Sequence, residues 1–111
     1  MKLITAVVTP SDFAAVKKAL SIFGITGLTI TEVFQRDLTG GRNQVYCGQR
    51  FHADLLPNVR IDLIAPDHDT ADLIHIITKL APRKGCPESI WITPVETLTR
   101  VRTGERGTDA L

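Results

Sequence analysis

The chain alternates short apolar runs with two stretches of helical spacing. Residues 2–8 are a mostly apolar run with β-branched members, stopped by Pro10, which predicts a first strand. Ser11 is the expected helix N-cap, with Asp12 favourable in the first turn. Phe13, Val16, Leu20 and Phe23 then recur at helical spacing with Lys17 and Lys18 on the other face, and Gly24 supplies the stop. Residues 27–34 alternate as a second strand, with Leu28 and Ile30 facing one side.

The second half repeats this order. Residues 59–64 form a period-two strand whose apolar face is Val59, Ile61 and Leu63. Pro66 ends it, and Asp67 or Asp69 can cap a helix running to about Leu80 that buries Leu73, Ile74 and Ile77. After the Pro82–Pro87 turn, residues 90–95 read as a fourth strand. The order β-α-β, β-α-β predicts an α+β fold, a ferredoxin-like βαββαβ sandwich. The two halves share architecture and little residue identity.

Between them, residues 36–57 show no sustained periodicity and carry three glycines with Tyr46 and Phe51. So long a connection in so small a domain is uncommon, and its aromatic and polar mixture suits docking on a partner. A merely mobile hairpin tip is the plainer reading.

At 111 residues the chain is expected to be one domain, residues 1–111. Hydrophobic residues make up 43% and charged residues 23%, an ordinary globular balance. Thirteen Lys+Arg against 12 Asp+Glu give a net charge of +1, too small a field to attract nucleic acid or an anionic membrane. No apolar run nears the roughly 20 residues that span a bilayer, and the first residues lack the pattern of a signal peptide. A cytoplasmic location is expected, with Cys47 and Cys86 as free thiols. Both sit in predicted loops, so a redox-controlled bridge between them stays open.

Several stretches then resemble one family from end to end: Met1-Lys-Leu-Ile-Thr-Ala-Val-Val8, Gly24-Ile-Thr-Gly-Leu-Thr-Ile-Thr-Glu-Val33, Val45-Tyr-Cys-Gly48, Leu56-Pro57 and the Arg100-Val-Arg-Thr-Gly-Glu105 ending. They look like the PII signal-transduction proteins, with Arg-x-Arg-Thr-Gly-Glu the most specific part. The resemblance implies a homotrimer with adenine nucleotide held between neighbouring subunits, and no enzymatic activity or cofactor. It also implies a T-loop at about residues 36–57 that contacts a target protein, membrane transporter or soluble enzyme. A B-loop falls at about 82–89 and a C-terminal segment at about 96–111.

Carried over residue by residue, the resemblance implies that Gly27, Leu28 and Thr29 wall the adenine, with Thr29 bonding the base. Asp62, Leu63 and Ile64 would line the same cleft, and Lys84 and Gly85 would approach from the B-loop. Arg100, Arg102 and Thr103 would take the phosphates. Arg100 and Arg102 are two apart, so an extended segment would project both guanidinium groups from one face. Two forked cations suit a polyphosphate.

The departures are as informative. The family's Thr-Gly-x-x-Gly-Asp-Gly-Lys B-loop becomes Pro82-Arg83-Lys84-Gly85-Cys86-Pro87-Glu88-Ser89, with two prolines that lack N–H donors and a serine in place of the lysine. Leu38 replaces an arginine. Fewer groups for the distal phosphate favour ADP or AMP over ATP, with Arg83 and Lys84 in partial compensation. Thr39 and Asn58 stand where a glutamine and a lysine hold 2-oxoglutarate, and Phe51 replaces the modified tyrosine. Standard 2-oxoglutarate sensing and nucleotidylation are therefore not expected. The Gly40-Gly41-Arg42-Asn43 turn could instead hold bicarbonate or another small anion through amides and a guanidinium.

Other classes remain open. A nitrogen-regulatory PII with ATP and 2-oxoglutarate is one alternative. An acylphosphatase-like enzyme using Arg42 with Asn43 or Asn58 is another, although no phosphate cradle follows the first strand and no Ser-His-Asp or Cys-His pattern stands out. His52, His68 and His75 with Asp67 and Asp69 are ligands on paper, but their spacing is not that of a zinc site, so no metal is expected. The CutA-type trimeric fold is a weaker match because it lacks the Arg-Thr-Gly-Glu ending.

Overall fold

The computed structural model describes residues 1–36, 44–46, 49–51, 55–80 and 89–111. Its elements are β1 (Lys2–Val8), α1 (Pro10–Phe23), β2 (Thr29–Arg36), β3 (Gln44–Tyr46), β4 (Gln49–Phe51), β5 (Leu55–Ala65), α2 (Thr70–Leu80) and β6 (Ser89–Pro94). A 3-10 turn at Asp67–Asp69 precedes α2, and another spans Gly107–Ala110. The main sheet has the order β2-β5-β1-β6 with antiparallel neighbours throughout, which is the expected ferredoxin-like α+β arrangement.

Strand pairing fixes two faces. Ile4, Ala6 and Val8 of β1 lie beside Ile61, Leu63 and Ala65 of β5. Val16 and Leu20 of α1 and Leu73 and Ile77 of α2 close over them, all four fully buried. Ile74 is only half-buried and faces the rim of β6. Leu28 packs against the core as expected, whereas Ile30 on the edge strand β2 stays exposed.

The N-cap of α1 lies two residues earlier than the expected Ser11. Thr9 is the N-cap: its hydroxyl accepts from the Asp12 amide at 3.2 Å and donates to the Asp12 carboxylate at 2.9 Å. Pro10 suits the first helical position because its missing N–H would have no intrahelical partner there. Gly24 ends the helix at φ 117°, donating to the carbonyls of Leu20 and Ser21. Asp67 and Asp69 form the 3-10 turn that leads into α2, and that turn starts at Pro66 with no side-chain cap of its own. The Thr70 hydroxyl donates to the Pro66 carbonyl at 3.3 Å and ties the start of α2 to this turn.

The connection expected at 36–57 is shorter than its sequence implies, because β2 and β5 continue as a two-stranded stem to Arg36↔Leu55. Pro57 hides this extension, since proline argues against a central strand. It is tolerated because β1 pairs with β5 only as far as Val59, so Pro57 has a ladder on one side alone. Beyond the stem, β3 and β4 pair as a short hairpin.

Candidate functional site

On the sheet face away from the helices, Thr29, Asp62 and Thr5 lie side by side in register, and Leu3 pairs with Ile64. The C-terminal segment folds against this face and encloses a cleft of about 490 Å³. Three walls meet there: Gly24–Gly27 with Thr29, the Asp62–Ile64 stretch with Pro66 and Asp69, and Leu98, Arg100, Ala110 and Leu111.

Most of the residues expected at a nucleotide site converge here. Gly27, Thr29, Asp62, Leu63, Ile64 and Arg100 all border the cleft, Leu63 with its side chain in the core. Leu28 points the other way, into the groove between α1 and β2. Arg102 and Thr103 are not in the cleft wall. Residues 101–103 form a turn rather than an extended strand, closed by the Gly104 amide donating to the Arg100 carbonyl at 2.7 Å. The expected alignment of Arg100 and Arg102 on one face is thereby corrected: the chain turns through residues 101–103, and Gly104, at φ 77°, closes that turn. The Thr103 hydroxyl donates to Glu105 at 2.8 Å.

Lys84, Gly85, Cys86, Leu38, Thr39, Gly40, Gly41, Arg42, Asn43 and Cys47 lie outside the described residues. For Tyr46 and Phe51 the backbone is described, in β3 and β4.

A cluster of polar bonds sets the charge of the cleft. Burial disfavours ionised Asp62, but a Thr5 hydroxyl donating at 2.6 Å and the Arg60 guanidinium at 3.0 Å outweigh it. Together they hold this carboxyl below its ordinary range. Arg60 in turn lies over the Trp91 ring, 5.6 Å from its centroid. Asp62 is thus an anchored acceptor, ill placed to abstract a proton. Arg100 faces the same cleft with a half-exposed side chain, and its Nη1 lies 3.9 Å from Glu105. An apolar wall, a hydroxyl, an anchored carboxylate and one guanidinium can grip a flat, polar, anionic ligand.

Asn58, expected to have lost the charge that holds a keto acid, is buried, 2% exposed, and donates through its amide to Gln35 across the β2–β5 stem. The sequence signal for this pairing is a carboxamide on each side of the loop, Gln35 before it and Asn58 after it. Ala110 and Leu111 are cleft residues that sequence reasoning missed; an apolar pair closing a polar tail was the available signal.

Among the described residues no cluster of three or more His, Cys, Asp or Glu could hold a metal. Asp67 lies 2.9 Å from the Met1 ammonium and His68 3.5 Å from Asp69, while His75 is on the exposed face of α2. No helix among the described residues is long and apolar enough to cross a membrane.

Comparison with known proteins completes the picture. A family model described as nitrogen regulatory protein P-II matches residues 1–105. A nitrogen regulatory protein P-II of Azospirillum brasilense is 36% identical over 112 aligned positions, covering 100% of both chains. The nitrogen regulatory protein GlnK of Escherichia coli K12 is 35% identical with the same coverage. Nitrogen regulatory protein P-II 2 of Methanothermobacter thermautotrophicus is 35% identical, covering 100% of this chain and 97% of its own.

Proposed function

The chain belongs to the PII family of regulatory, non-enzymatic signal proteins, and from that premise we propose that it is an adenine-nucleotide sensor acting in the cytoplasm. The observation carrying this reading is the cleft in which Gly27, Thr29 and Ile64 meet Arg100. The apolar wall takes the base, Thr29 bonds its edge, and Arg100 takes a phosphate. Subunits assemble as a homotrimer, so that neighbouring copies complete each site. Residues 1–111 act as one domain. Residues 36–57 serve as the T-loop that docks on a target protein, and 82–89 and 96–111 as the B-loop and C-terminal segment.

ADP or AMP is preferred over ATP. Only Arg100 of the two arginines lines the cleft, and Pro82, Pro87, Ser89 and Leu38 stand where the family pattern has donors or cations. The stem pair Gln35–Asn58 supports a changed effector, because the Asn58 amide is already engaged and carries no charge. The Gly40-Gly41-Arg42-Asn43 sequence, with its glycine amides and guanidinium, makes bicarbonate, and with it inorganic-carbon metabolism or transport, the candidate input.

A thermal-shift series with ATP, ADP, AMP and cyclic AMP, each with and without bicarbonate or 2-oxoglutarate, tests this directly. A ligand at 100 times its dissociation constant adds about 2.7 kcal/mol of stability. A flat response to every nucleotide overturns the reading. Calorimetry at fixed ADP tests the anion: unchanged affinity at millimolar bicarbonate removes it. The names of the relatives favour a second reading, nitrogen regulation through ATP and 2-oxoglutarate. Tightening of ATP binding by 2-oxoglutarate would establish it.

A further inference from the structure

Arg100 is the only arginine in the cleft wall among the described residues, and it is already engaged. Its Nη2 donates to the Ala110 carbonyl at 3.1 Å and to the Leu111 carbonyl at 3.2 Å. Both acceptors belong to residues that themselves border the cleft. The tail is brought there by a defined path. The Gly107 amide donates to the Leu98 carbonyl at 2.8 Å, Thr99 bridges Arg106, and Gly107 turns at φ 65°. The 3-10 turn Gly107–Ala110 then tucks Ala110 in at 8% exposure, while Leu111 remains 42% exposed.

We infer that the turn at residues 107–111 is an internal latch that competes with the ligand's anionic group for Arg100. The latch offers a guanidinium whose side chain is 45% exposed two separate backbone oxygens, one from Ala110 and one from Leu111. A phosphate offers the same fork two oxygens of one charged group in bidentate geometry, so it competes with these two single backbone contacts and displaces them. The remaining attachments of the latch are the small Ala110 side chain, the partly covered Leu111 side chain and the Gly107–Leu98 hydrogen bond. Ligand binding and latch release are then one equilibrium, and the apparent affinity is lowered by the fraction of chains whose latch is closed. Because the latch ends at Ala110 and Leu111 on the cleft surface, its release also gives the molecule a nucleotide-dependent change away from the T-loop.

The inference rests on the nucleotide reading of the cleft, and two measurements separate the fates of the two. ADP and ATP are titrated by calorimetry into the full chain and into a chain ending at Gly107. Amide exchange of the full chain is followed with and without saturating ADP. The shortened chain is expected to bind roughly three- to tenfold more tightly, and exchange at the Gly107 and Leu111 amides is expected to quicken when ADP binds. Binding by the short chain alone supports the latch in its strongest form. Equal or weaker binding by the short chain, or unchanged exchange on ADP saturation, overturns the latch and leaves the nucleotide reading standing. No heat from either length overturns that reading and the latch with it. Should the short chain fail to fold, the exchange experiment on the unaltered chain decides alone.

Discussion

Asp62 shows how one residue can serve both fold and site. Its carboxylate is fixed by the Thr5 hydroxyl on β1 and by Arg60 two positions along its own strand. Because the folded-state pKa is depressed, Asp62 stabilises the protein above its unfolded pKa, and that contribution fades as pH falls through the folded value. Urea unfolding between pH 3 and 7 should therefore show Asp62→Asn less stable than the parent at neutrality, with the two converging below about pH 4. Parallel curves would refute the assignment. Thr9 matters locally in the same way. With its hydroxyl both accepting from and donating to Asp12, Thr9→Ala should cost about 1 kcal/mol in chemical denaturation.

At the scale of elements, both helices and the main strands were legible because their apolar positions follow periods of 3.6 and 2. Gly24 was legible for a backbone reason, and Gly24→Ala should lower stability by about 1–2 kcal/mol in a urea melt, since alanine resists a positive φ. What escaped was set by partners distant in sequence. Ser11 resembles a cap as closely as Thr9 does, and only the place where Pro10 enters the helix distinguishes them. The strand extension through Pro57 depends on which neighbour β5 loses beyond Val59. The turn at 101–103 depends on Gly104 and on hydrogen bonds back to Arg100, so a two-residue spacing could not disclose it.

For the whole molecule, the cleft was legible mainly through family resemblance, since composition offers no field and the residues carry no catalytic spacing. Gly27 with Thr29, Ile64 and Arg100 come from three separate stretches, and the sheet order together with the return of the C-terminal segment makes them neighbours. Sequence did not disclose that the tail would return to Arg100, because no periodicity governs a single turn. Nothing lies within 4 Å of a Cβ built on Gly27, and its φ is not in the left-handed region. Gly27→Ala should thus leave the melting temperature within about a degree, as surface changes of this kind usually do. If the cleft is the nucleotide site, ADP affinity should fall severalfold in the same variant by calorimetry. A large loss of apo stability would contradict the open geometry.

The alternation along β5 has a consequence for how such a protein changes its input. Ile61, Leu63 and Ala65 hold the helices, while Asp62 and Ile64, one step out of phase on the same backbone, face the cleft. Folding and recognition are written on odd and even positions of a single line of text. Edits to the even letters can rewrite what the molecule responds to while the odd letters continue to spell the same architecture.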